Sequence, residues 1–340
     1  MSNPANGVTR MLLVGCGAMA REHLRRLVKQ QATTEITAIV EPSAAMLDAA
    51  TPFFEAAGLD LPPHDSSLER LLSDHQGEFD TAFIITPHAY HLEQAVMCLE
   101  AGLDVLLEKP MVMNTKEAHE LIRVRDLTGH LLVVAFPGSL SPEVREAVRI
   151  LRAGELGELL TIHGAVWQDW RIQTDGKWRQ QPEISGGGFL FDTGAHLLNT
   201  VADLAGEDFV EVAAWLDRRG TQVDILGAVM ARLKSGAFVT LNACGDAFHS
   251  CDSDVRVICS DGMMRVDVWG DFFELQLATE QELTPVKLPP SVGVWEQFLA
   301  VRAHRIENPC PPEVGLRMAR LWDAIQASAR DGGRAVKVGG

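Results

Sequence analysis

Short apolar runs that stop at polar or glycine-rich stretches alternate with segments of helical spacing through the first part of the chain. Arg10–Val14 reads as a strand entering Gly15-Cys16-Gly17-Ala18-Met19-Ala20. The following Arg21–Gln30 sets Leu24, Leu27 and Val28 on one helical face. Further strands are predicted at Glu35–Val40, Asp80–Ile85, Val105–Leu107 and Leu131–Phe136. Helices are predicted at Leu68–Asp74 after the cap Ser67, at Leu92–Glu100 up to Gly102, and from the cap Asn114 through Thr128, where Gly129 ends it. This alternation predicts a doubly wound parallel α/β sheet, with a ligand crevice at the carboxyl ends of its strands.

Three strand ends carry candidate chemistry. The first is a GxGxxA turn: Gly15 permits the tight bend, Gly17 lets backbone N–H groups approach a pyrophosphate, and Ala20 allows close packing of helix on strand. The helix start adds partial positive charge. Glu41 closes the second strand about 20 residues beyond, where an acidic side chain binds ribose hydroxyls and repels a 2′-phosphate. That favours NAD over NADP. The run Val105–Leu107 ends in Glu108-Lys109-Pro110, and the proline forbids further pairing, which leaves Lys109 at the crevice.

The second half changes rhythm. Ser141 and Pro142 open a helix reaching Ala153, and Leu159–Trp167 reads as a strand of a second sheet. Ile225–Leu233 and Ala237–Cys244 form a hairpin about Lys234-Ser235-Gly236, and Pro312–Ala329 is an amphipathic helix. After Gly186-Gly187-Gly188, a helix over Asp192–Ala205 would set Asp192, His196, Asn199 and Asp203 on one narrow face. Histidine, with an ordinary pKa of about 6.5, suits proton transfer.

Composition narrows the partners. The 340 residues suggest about two domains, 46% hydrophobic and 22% charged composition is that of a globular protein, and a net charge of −16 speaks against nucleic acid or an anionic membrane. Met1–Arg10 has no apolar core of the kind a signal peptide or membrane span needs. Six irregularly spaced cysteines suggest reduced thiols and a cytoplasmic location. No metal site is expected: Cys244, His249 and Cys251 lack paired CxxC spacing, and His88 with His91 suits a cofactor crevice better than a metal.

Together, Gly15-x-Gly17-x-x-Ala20, Thr86-Pro87 with His91, Ala101-Gly102, Glu108-Lys109-Pro110, Gly154-Glu155-Leu156-Gly157, Lys177-Trp178-Arg179, Gly186–Gly188 and Asp192-x-Gly194-x-His196 closely resemble the Gfo/Idh/MocA oxidoreductases. The likeness runs on through Val257–Val266 and Pro312–Val338. It implies an NAD-binding Rossmann domain over residues 1–137, then a substrate-binding and oligomerisation domain over 138–340 with a large, open, mainly antiparallel sheet. Pro137, Gly138, Ser139, Ser141 and Pro142 form a linker-like cluster at that boundary.

The resemblance implies hydride transfer between nicotinamide and a secondary alcohol of a sugar, cyclitol or sugar acid, in a homodimer or homotetramer. Lys109, His196 and Asp192 are the implied catalytic residues: His196 as base, Lys109 holding the alkoxide, Asp192 orienting the substrate. Gly15, Gly17, Ala18, Met19, Glu41, Thr86, Pro87, His91, Glu108, Lys109 and Pro110 would hold the cofactor. Trp170, Arg171, Trp178, Asp192, His196 and Asn199 would meet the substrate, tryptophan faces suiting sugar rings and arginine suiting carboxylates. Asn199 stands where many members carry aspartate, and Gly138-Ser139-Leu140 replaces an expected arginine or tyrosine. Two other readings keep the fold: an NAD-dependent glycoside hydrolase using transient internal oxidation, and a non-catalytic NAD-binding regulator.

Overall fold

The computed structural model describes residues 7–339. The first half alternates β1 (Thr9–Val14), α1 (Ala18–Leu27), β2 (Thr34–Val40), α2 (Ala44–Glu55), β3 (His64–Asp65), α3 (Leu68–Asp74), β4 (Thr81–Ile84), α4 (His91–Glu100), β5 (Asp104–Leu107), α5 (Thr115–Thr128) and β6 (Leu132–Val134). Their six strands form one parallel sheet in the order β3-β2-β1-β4-β5-β6. This is the predicted Rossmann architecture. Polar caps set several helix starts: Ser67 accepts from the Arg70 N–H, and Asn114 and Glu117 exchange hydrogen bonds as a capping box. Gly129, at φ +69°, ends α5.

The second half runs through α6 (Pro142–Arg152), β7 (Leu159–Gln168), α7 (Trp170–Gln173), α8 (Pro182–Ser185), α9 (Ala195–Ala205), β8 (Phe209–Asp217), β9 (Leu226–Leu233), β10 (Phe238–Cys244), β11 (Cys251–Cys259), β12 (Gly262–Val266), β13 (Phe273–Leu277), β14 (Thr284–Pro285), α10 (Val294–Arg302), α11 (Pro312–Arg330) and β15 (Val336–Lys337). Its nine strands lie in the order β14-β13-β12-β11-β7-β10-β9-β8-β15, antiparallel throughout except for β7 beside β10. Period-two patterning buries Gly227, Val229, Ala231 and Leu233 on one face of β9 and exposes Ala228, Met230 and Arg232 on the other. α9 lies on the buried face, with Leu197 in the space a side chain at Gly164 would need.

Two differences from the sequence reading matter for the site. α9 starts at Ala195 and not at Asp192, which lies in the turn before it, and every residue of α9 is buried. The polar stripe of this helix is therefore an interior one: Asp203 pairs with Arg145 of α6, and Asn199 receives nothing from solvent.

The last helices also return to the first sheet. Trp295 of α10 stacks on Phe83 of β4 at 6.2 Å and donates to the Thr34 hydroxyl at 2.7 Å, while Arg302 reaches Asp104 at 2.8 Å. Asp323 of α11 accepts from the Thr115 N–H at the start of α5. Among the described residues, no helix is long and apolar enough to cross a membrane.

Candidate active site

The glycine turn shows why its residues are needed. Gly15 has φ +96°, and a Cβ there would stand 2.6 Å from the Ile85 carbonyl oxygen. Gly17 forms the N-cap of α1 without a side-chain cap, a Cβ on it would meet nothing within 4 Å, and the first turn holds no acidic residue. Unclaimed N–H groups thus face open space, as a pyrophosphate requires. Glu41 is braced beside them, accepting from the Cys16 N–H at 2.7 Å and the Ser43 N–H at 2.8 Å. These residues fit a dinucleotide.

At the neighbouring strand ends the expected residues divide. Ala18 and Met19 begin α1, and Met19 is exposed. Thr86 donates to Gln94, and Pro87 follows it before a short helical turn over His88–Tyr90. His91 is wholly buried, its Nδ1 at 2.8 Å from the Pro110 carbonyl and its Nε2 at 2.9 Å from that of Thr86. It ties the ends of β4 and β5 together. Glu108 is buried too, bound to His23 at 2.7 Å and accepting from the Lys109 N–H at 3.0 Å. Burial works to raise its carboxyl, and His23 and Lys109 outweigh burial and lower it. His91 and Glu108 therefore brace the crevice from behind, a role that leaves no polar group of His91 free for a cofactor.

Across the crevice, Lys109 Nζ donates to the backbone oxygen of Asp192 at 2.9 Å and to its Oδ1 at 3.2 Å. Asp192 Oδ2 accepts from the Trp170 indole N–H at 2.8 Å and from Arg179 Nε at 2.9 Å. His88 Nε2 lies 3.7 Å from Oδ1, and its Nδ1 faces the Ser185 carbonyl at 2.7 Å. Both oxygens of the carboxylate are thus occupied by the protein itself. Burial alone would raise the Asp192 carboxyl; Lys109 first and Arg179 next hold it well below the usual range. Burial also pushes His88 down to about 3, against the pull of Asp192, so its imidazole is neutral at ordinary pH.

His196 stands one helical start away, its ring edge-on to Phe136 at 5.6 Å and tilted to Trp269 at 5.7 Å. No protein group meets its Nδ1, which is buried. Burial, then the charge of Lys109, lowers its pKa well below the ordinary value. The ring is a neutral imidazole whose exchange chemistry is confined to Nε2.

Several substrate-side expectations fall elsewhere. Trp170 is 2% exposed and spends its N–H on Asp192, so its ring offers no stacking face. Arg171 pairs with Asp246 at 2.8 Å, on the outside of β10's end. Asn199 is 0% exposed and donates to Ser139 at 2.7 Å, because α9 presses that side against the linker after β6. Trp178 is partly exposed, beneath the Arg179 guanidinium at 4.5 Å. The triple glycine serves packing: a Cβ on Gly188 would collide with the Asp224 backbone, whose carboxylate accepts from Gly188 and Leu190 N–H groups.

Sequence reasoning missed three residues. His88 carries only the expectation of a place beside the cofactor crevice, Arg179 only its place in the Lys177-Trp178-Arg179 motif, and Trp269 no signal, since it lies in a loop pinned by Asp267, which accepts from the N–H groups of Trp269, Gly270 and Asp271. The described residues hold no cluster of three or more metal-ligating side chains.

A glycine turn, a carboxylate braced at the end of β2 and a lysine on the crevice edge define a dinucleotide-binding oxidoreductase scaffold. The chain belongs to the Gfo/Idh/MocA oxidoreductases: residues 9–136 match that family's NAD-binding Rossmann model and residues 144–265 its C-terminal domain model. It is 28% identical over 230 residues to a D-xylose 1-dehydrogenase [NADP(+)] from Haloarcula marismortui, a match covering 65% of this chain and 63% of that protein. A dTDP-3,4-didehydro-2,6-dideoxy-alpha-D-glucose 3-reductase from Actinomadura kijaniata is 27% identical, over 97% of this chain and 99% of its own. In fold, the chain is similar to a levoglucosan dehydrogenase solved with NADH and levoglucosan, with a TM-score of 0.82 at 21% identity, covering 98% of this chain and 100% of that one.

Proposed function

We propose that this protein is an NAD-dependent dehydrogenase acting on a secondary alcohol of a sugar, cyclitol or sugar acid. The observation that carries this reading is the Lys109–Asp192 pair, drawn from two domains and set beside a neutral His196 at the crevice edge. When bound, the nicotinamide supplies the hydride acceptor. The protein's part is to place the alcohol and move its proton. Lys109, with two of its three N–H donors on Asp192, has one left for the substrate oxygen and stabilises the charge developing there. His196 accepts the hydroxyl proton at Nε2.

Asp192 takes a different part from the one expected. With both oxygens engaged, it positions Lys109 and does not grip a substrate hydroxyl. The outer edge of Arg179, with only its Nε committed, is the group here suited to a substrate carboxylate. Glu41 supports NAD over NADP, since a 2′-phosphate would approach a carboxylate already fixed in place.

In this reading, residues up to 137 hold the cofactor and residues from 138 hold the substrate and the self-association surface. Trp215, Met230 and Phe238, each more than half exposed on the uncovered face of the second sheet, support a homodimer or homotetramer closed across that face. All six cysteines are free thiols, which supports a cytoplasmic setting. The test is to give the purified protein NAD and a panel of polyols, sugars and sugar acids and to follow reduced nicotinamide by absorbance. Product formation that disappears in Lys109→Met supports the dehydrogenase. No product across the panel, with NAD already bound after purification, would instead favour an internal redox cycle.

A further inference from the structure

A separate cavity of about 530 Å³ opens where α11 passes the ends of β8, β9 and β15. It shares no lining residue with the Lys109–Asp192 cluster. Five basic side chains line it, Arg232, Lys234, Arg317, Arg320 and Lys337, against only Asp208 and Glu211. In a chain of net charge −16, such a local excess of one sign runs against the average and calls for a counter-charge.

Among the described residues, the acids that line the cavity do not provide it. Glu211 is taken by Arg232, and Asp208 comes no nearer to Arg320 than 3.9 Å. The side chains of Lys234, Arg317 and Lys337 have no ion-pair partner among the described residues. Arg317 and Arg320 are three positions apart on α11 and so share a face, and the Nε atom of each is buried without an acceptor.

We propose that this cavity binds a small polyanion carrying two or more phosphate or carboxylate groups. Arg317 and Arg320 supply planar forks that match such oxygens, and Lys234 and Lys337 close over them as point charges. The volume is that of a small-molecule site and not of a macromolecular surface. α11 also packs against α9, the helix that carries His196. An occupant would therefore rest on the support of the candidate active site without entering it.

The test uses the whole protein saturated with NADH, so that added anions cannot take the cofactor's phosphate positions. Inorganic pyrophosphate and citrate are titrated separately by calorimetry at constant ionic strength. Saturable binding of either, weakened at least tenfold in the double variant Arg317→Gln with Arg320→Gln, is the expected result. The pair Lys234→Gln and Lys337→Gln, both on exposed side chains, is expected to weaken it severalfold with the melting temperature unchanged. Pyrophosphate alone binding assigns the phosphate class, and citrate alone the carboxylate class. No saturable binding of either, or affinity unaltered by the lysine pair, would overturn the site.

Discussion

The two sides of the crevice are built on opposite plans. On the Rossmann side, each functional group stands at the end of its own strand, placed by that strand and the turn after it: Gly15 after β1, Glu41 after β2, Lys109 after β5. On the other side a single carboxylate, Asp192, gathers partners from 83, 22 and 13 residues away, and almost nothing about it is local. The cofactor side can be assembled from short-range rules, whereas the reacting side depends on the two domains closing correctly. Substitutions should therefore separate into those that lower affinity for the cofactor and those that disable an otherwise intact holoenzyme.

The sharpest break is expected from Lys109→Met and His196→Ala. Each should reduce turnover by about 10³-fold or more, with NADH binding retained by fluorescence titration. Wild-type turnover in either would remove the assignment. Asp192→Asn comes next: it leaves Lys109 and Arg179 uncompensated in a buried setting and is expected to cost about 3–5 kcal/mol of stability, read by urea denaturation. If instead only the KM rose at unchanged stability, Asp192 would be a substrate ligand after all.

The pH dependence comes third. His88 and His196 both have folded pKa values below the unfolded value of about 6.5, so the unfolded chain binds more protons as pH falls beneath that point. Stability is therefore expected to decline below pH ~6.5, by up to about 1.4 kcal/mol per pH unit for each histidine, and for His88 to go on falling until about pH 3. Asp192, held low, adds stability above the unfolded carboxylate value of about 3.9 and loses it only at still lower pH. His88→Asn should flatten the upper part of that slope, and an unchanged slope would put the titration elsewhere. The smallest effect belongs to the Rossmann side: Glu41→Gln is expected to weaken NAD by about tenfold, or ~1.4 kcal/mol, and to narrow the preference over NADP with turnover at saturation little changed.

The same division explains what could be read in advance. Helices with punctuation were legible to the residue, as with Leu68–Asp74 after Ser67 and Thr115–Thr128 between Asn114 and Gly129, because caps are local chemistry. The parallel α/β sheet is legible from alternation, whereas its strand order is not, and the two-residue β3 is too short to leave a pattern. α2 was missed: its residues are apolar around most of the helix, and Pro52 lies inside it. On the substrate side, types were legible but positions were not. Asn199 and Asp203 look like a wet helical stripe until Ser139 and Arg145 are brought against them by the fold. Trp170 looked like a sugar platform for the same reason, since nothing nearby in sequence reveals that its indole N–H is committed to Asp192.

The return of α10 to the first sheet bears on how the protein is made. A ribosome releases the nucleotide-binding half first, and Phe83 and Thr34 then lack the tryptophan that covers them, because about 155 residues separate residue 140 from Trp295. A fragment ending at residue 140 is therefore expected to bind a hydrophobic dye that the full chain excludes, and a peptide spanning 290–330 added in trans should displace it. The nascent Rossmann half would then be a client for chaperones until nearly the whole message has been read.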